Sequence, residues 1–117
     1  MSILVPQNQL RAAAKTLLAF AVPVQQFGAV ATSGLISTVA TEMFNLASTQ
    51  STIGLHANAV NICRVQTCME NLRAAALVLA EPPFAADGGR DAVDDALTLL
   101  TQVNADLLTY DDELKAA

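Results

Sequence analysis

The sequence predicts an all-α protein of three or four helices, with long, low-charge central helices and an amphipathic C-terminal helix, packing into a helical assembly. Three observations predict it. Hydrophobic residues make up 53% of the 117 and charged ones 15%, against roughly 25% charged in an average globular domain; mean hydropathy is +0.42. Most of that apolar content is Ala, Leu and Val rather than aromatic, and Ala and Leu head the helix-propensity order. Finally, apolar residues recur at helical spacing, and the 48 residues Thr16–Cys63 contain a single charge, Glu42. A lone soluble helix reserves one face for charge, so neutral outward faces suit contact with other helices.

The elements follow in chain order within one domain, residues 1–117. Leu10, Ala14, Leu17, Leu18 and Ala21 set a helix over residues 7–22; Pro6 suits its start, and Pro23 should kink or end it. A second helix is expected from about Val24 to Ala47. The run Ser48-Thr49-Gln50-Ser51-Thr52 with Gly54 is a weak break or a polar joint within one long helix, and a third helix runs from about Ile53 to Ala80, ahead of Pro82-Pro83. Residues 7–81 thus form the low-charge helical region and 82–90 a loop. The last helix, residues 91–116, opens at Asp91 as its cap, with Asp94 three residues on and Asp95 beside the helix start. Val93, Leu100, Leu107 and Leu114 recur every seven residues, with Ala96, Val103 and Tyr110 three later. That is a seam for an antiparallel neighbour or a partner chain.

Several function classes are excluded or unsupported. A net charge of −5 with only six basic residues offers no stripe for phosphate contacts, so nucleic acid is not an expected partner. Leu17–Ala40 is long enough to span a bilayer, but Pro23, Gln25, Gln26, Gly28, Thr32, Ser33, Gly34, Ser37 and Thr38 interrupt it, so no constitutive span is expected. Membrane contact after assembly or a conformational change stays open. The same polar interruptions, and the late Arg11 and Lys15, argue against a cleaved leader ending at Ala29-Val30-Ala31.

No catalytic, cofactor-binding or metal residues are assigned. Asp91, Asp94 and Asp95 share a helix face, but a metal–diphosphate site needs a second carboxylate cluster across a cavity. Asp111, Asp112 and Glu113 stand about five turns away on the same helix. His56 is the only histidine, which rules out a multi-histidine metal site in one chain. Read on one continuous helix, it stands about 10 Å from Cys63, too far for a nucleophile–base pair. Cys63 and Cys68 are expected as buried structural thiols, with an inter-chain disulfide as the alternative. No glycine-rich phosphate loop, CxxC pair or serine elbow occurs, so the chain is not expected to be an enzyme. His56 in its neutral stretch, with Asp91, Asp94 and Asp95, is a candidate pH-sensing set.

Small residues pair at four-residue spacing: Ala29 with Ser33, Gly34 with Thr38, Gly54 with Asn58. Such pairs let helix backbones approach. With the C-terminal seam they define the expected interface: Gly28, Gly34, Gly54, Asn58, Val93, Leu100, Val103, Leu107 and Leu114.

Met43-Phe44-Asn45, Gln50-Ser51, Ile53-Gly54-Leu55, Asn58-Ala59-Val60 and Gln66 resemble the Reb, or "killing trait", proteins that build R-bodies. The likeness spans roughly residues 40–66; Asn61-Ile62-Cys63-Arg64-Val65 stands where that family carries a glutamine run. The resemblance implies a bacterial cytoplasmic subunit that polymerises with itself or related helical chains. The ribbon it builds extends on a change of conditions and breaches membranes. A looser resemblance, through Leu10-Arg11-Ala12-Ala13-Ala14 and Tyr110-Asp111-Asp112-Glu113, is to type VII secretion helical hairpins, although their Trp-x-Gly turn is missing. The expected function is therefore structural self-assembly. The alternative is a small soluble adaptor, chaperone or secreted hairpin protein acting as a dimer or heterodimer.

Overall fold

A computed structural model describes residues 2–48, 55–81 and 89–110. The chain is all-α: helices α1 (Gln7–Gln26), α2 (Val30–Ser48), α3 (Ala59–Leu79) and α4 (Gly89–Thr109) form a bundle. Each helix packs on its successor and α4 also packs on α1, which closes the ring.

In α1 the buried positions are Leu10, Ala14, Leu17, Ala21 and Val24, alternating steps of four and three that keep one stripe on the core. Leu18, expected among them, sits on the flank and is exposed. The helix does not stop at Pro23 but continues one turn to Gln26. Proline removes an N–H that would bond the carbonyl four residues back. That residue is Ala19 on the exposed side, where water can serve it, and buried Val24 anchors the last turn.

The second helix therefore starts at Val30 rather than Val24. Phe27–Ala29 make the reversal, with Gly28 at φ +92°, a left-handed conformation that glycine adopts without steric cost. The Ser33 hydroxyl then donates across the hairpin to the Ala21 carbonyl at 2.7 Å, in a buried position.

Two two-residue strands close one end. β1 (Ser2–Ile3) pairs antiparallel with β2 (Leu55–His56), Ser2 opposite His56 and Ile3 opposite Leu55. Alternation buries Ile3 and Leu55 and leaves His56 outside. So His56 lies on a strand, not inside a third helix begun at Ile53. That helix begins at Ala59, because the Asn58 side chain caps it by accepting from the Asn61 N–H at 2.9 Å.

α4 begins two residues before the expected Asp91 cap, and Asp91 falls in its first turn. Val93, Ala96, Leu100, Val103 and Leu107 are buried in the common core with Leu72, Leu46 and Leu17. The expected joint at 49–54, most of the expected loop and the helix end beyond residue 110 lie outside the described residues.

Candidate functional site

Glu42 is the one charge of the neutral middle, and Arg64 is the next charge along the chain. The fold brings them together: Arg64 Nε donates to Glu42 Oε1, joining α3 to α2 in a half-buried ion pair. Arg64 Nη1 also donates to Asn61 Oδ1 at 2.8 Å, and Asn61 Nδ2 donates to the His56 carbonyl at 2.7 Å. A single polar chain thus links β2, the start of α3 and the middle of α2. Asn61 is buried with both ends of its amide used, as burial of a polar side chain requires.

A groove of about 310 Å³ runs beside this tie, lined by Thr38, Val39, Glu42, Cys63, Thr67 and Asn71 among others. Cys68, which is buried, also lines it. Burial pushes the Cys68 thiol up to about 11, Glu42 adds to the rise and Arg64 opposes it. A thiol held protonated is a poor nucleophile. Both cysteines are free; contrary to expectation, Cys63 is exposed and only Cys68 is buried.

The residues singled out from sequence do not converge on one site. Asp91, Asp94 and Asp95 are exposed on α4, with Asp94 paired to Arg90 at 3.7 Å, while His56 is on β2. Among the described residues no group of three or more His, Cys, Asp or Glu is placed to hold a metal ion. Nor is any described helix long and apolar enough to cross a membrane.

The interface set divides. Val93, Leu100, Val103 and Leu107 face the chain's own core, so the seam is occupied by neighbours within the chain. Asn58 is a helix cap and Gly28 a turn residue. Gly34 alone sits on an exposed helix surface, with nothing within 4 Å of where a Cβ would stand. Gly54 and Leu114 lie outside the described residues.

What sequence reasoning missed is the outer face of the α1–α2 hairpin, where Leu18, Val22, Phe27 and Val30 are exposed. The signal was present, because the buried stripe of α1 at 14, 17, 21 and 24 leaves 18 and 22 off the core. From Thr16 to Thr41 this hairpin carries no charge.

The chain matches no protein-family model, no curated protein and no solved structure. Of the residues that carry the Reb resemblance, Met43 and Leu55 are buried in the core and Asn58 is the α3 cap.

Proposed function

We propose that the protein is a non-catalytic structural subunit that works by helix-on-helix self-association. The observation that carries this reading is the charge-free stretch Thr16–Thr41 of the α1–α2 hairpin, with Leu18, Val22, Phe27 and Val30 left exposed. Exposed apolar patches mark interaction sites. The sharpest version is an R-body-like ribbon built in the bacterial cytoplasm and responsive to conditions; it draws on the resemblance over residues 40–66. His56, Asp91, Asp94 and Asp95 are its candidate triggers, all solvent-facing.

A second reading, a discrete adaptor, chaperone or secreted hairpin protein, draws support from the closed ring: every helix already buries its apolar stripe in its own chain. Sedimentation with negative-stain microscopy at about pH 7.5 and about pH 5, either side of the histidine range, separates the two. Ordered sheets, ribbons or filaments are expected, and a change of form with pH supports the ribbon. A monodisperse one- or two-chain species at both values overturns assembly in favour of the adaptor.

A further inference from the structure

We infer that residues 2–5 act as a latch: pairing of this N-terminal segment with β2 holds the Glu42–Arg64 tie in place through Asn61, so that release of the segment opens the seam between α2 and α3. The latch is a property of one chain and stands apart from the self-association reading.

The bundle consists of two hairpins, α1–α2 and α3–α4, and the first grips the start of the second at two points. β1, which leads into α1, pairs with β2, which leads into α3. Glu42 of α2 accepts from Arg64 of α3. Asn61 stands between the two grips. Its Nδ2 donates to the His56 carbonyl of β2 at 2.7 Å, and its Oδ1 accepts from Arg64 Nη1 at 2.8 Å. Asn61 and Arg64 are three positions apart, which puts them on one face of α3.

Burial makes this connection consequential. Asn61 is only 9% exposed, and a buried amide that loses its partner has no water to replace it. If β2 shifts, Asn61 either follows the His56 carbonyl and draws its Oδ1 away from Arg64, or loses the carbonyl. Both outcomes leave the guanidinium less firmly held against Glu42. Packing gives that tie little support. Each seam between the hairpins carries a groove, about 310 Å³ beside Glu42 and about 280 Å³ between α1 and α4, and atoms that border a void lose dispersion contacts. The segment itself is lightly held. β1 has two residues; Ile3 and Val5 are buried, but Leu4 between them is 81% exposed. A cleft of about 470 Å³ lies beside it, lined by Asp106 and Tyr110 of α4. Cys68, one turn beyond Arg64 and buried at the groove, reports whether the seam is closed.

The test is labelling of Cys68 by a thiol reagent in the full chain, with Cys63→Ser leaving a single thiol, over a urea series below the unfolding transition. Opening of one seam exposes little surface and gives a rate that barely changes with urea, whereas global unfolding gives a steep dependence. Ile3→Ala is expected to raise the urea-insensitive rate at least about tenfold. Ile3→Val, a smaller loss, is expected to raise it about threefold, and it carries the test if Ile3→Ala does not fold. Leu100→Ala, a core loss away from the latch, is expected to raise only the urea-sensitive rate. Asn61→Leu keeps the α3 cap, which uses the Asn61 N–H, and is expected to raise the urea-insensitive rate; adding Ile3→Val to it should raise that rate no further. Three results overturn the latch. One is a set of Ile3 variants that change only the urea-sensitive rate. Another is a Leu100→Ala protein whose urea-insensitive rate rises as much as that of Ile3→Ala. The third is effects of Ile3→Val and Asn61→Leu that multiply, as they do for independent sites.

Discussion

The two halves of the bundle have similar interiors and opposite exteriors. Hairpin α1–α2 buries Leu10, Leu17, Ile36, Met43 and Leu46, and the pair α3–α4 buries Val65, Leu72, Leu79, Leu100 and Leu107. Either set makes an ordinary aliphatic helical core. Outside, α4 displays Arg90, Asp91, Asp94 and Asp95, whereas α1–α2 has no charge between Lys15 and Glu42. Folding therefore does not explain the missing charges, because α4 folds into the same core while carrying them. The neutral exterior is a property that can be changed separately from the fold, and substitutions can test each side of the comparison in turn.

The largest effect is expected where the C-terminal seam is removed. Leu100 is fully buried against its own chain, so Leu100→Ala should cost about 2–5 kcal/mol. Because the seam is satisfied within one chain, that loss should be the same at every protein concentration in urea titrations. A loss that shrinks as concentration rises would place Leu100 at a contact between chains instead.

A smaller cost is expected at the tie between the halves. Arg64→Met leaves the half-buried Glu42 carboxylate and the Asn61 Oδ1 without their Arg64 donor, at a cost of about 1–3 kcal/mol. Adding Glu42→Met should recover most of it, since replacing both members of such a pair is far milder than removing one. A double variant as unstable as the single would mean that packing by the Arg64 stem, not charge pairing, holds α2 to α3. Within the first half, Ser33→Ala should cost about 1 kcal/mol through the bond to Ala21, with the helices retained by circular dichroism.

These effects also show what the sequence made legible. The four helices were readable in outline, since steps of three and four in α1 and sevens in α4 reflect local geometry that any helix must obey. The boundaries were less so. Pro23 reads as a kink or an end, yet the helix runs on to Gln26, because the carbonyl it orphans faces solvent and Val24 still has a core to enter. Asn58, which pairs with Gly54 in the small-residue pattern, instead caps α3 through the Asn61 N–H. The pairing of Ser2–Ile3 with Leu55–His56 depends on chain closure across more than fifty residues, which no local pattern carries. For the candidate site, the charge gap was visible; which side chains it left outside was not, because that requires knowing which flank of each helix meets its neighbour. The Glu42–Arg64 tie had a cue in the two charges that bracket the end of the gap.

The smallest effect at neutral pH concerns the thiols. Cys63 should react with a thiol reagent at once and Cys68 only as the bundle opens, since one is exposed and the other buried. Alkaline pH turns that burial into a stability difference. The Cys68 thiol moves from 9.0 to about 11 on folding, chiefly by desolvation. Below the unfolded value both states hold the proton, and the thiol's contribution is fully present. Between about 9 and about 11 the unfolded chain releases its proton while the folded chain keeps it. Stability then falls as pH rises, because the unfolded state binds fewer protons. Cys68→Ala should flatten that alkaline decline relative to wild type in urea titrations, while Cys63→Ser leaves it unchanged. Equal declines in all three proteins would mean that the thiol is hydrated in the folded state, and with it the α2–α3 joint that Glu42 and Arg64 tie.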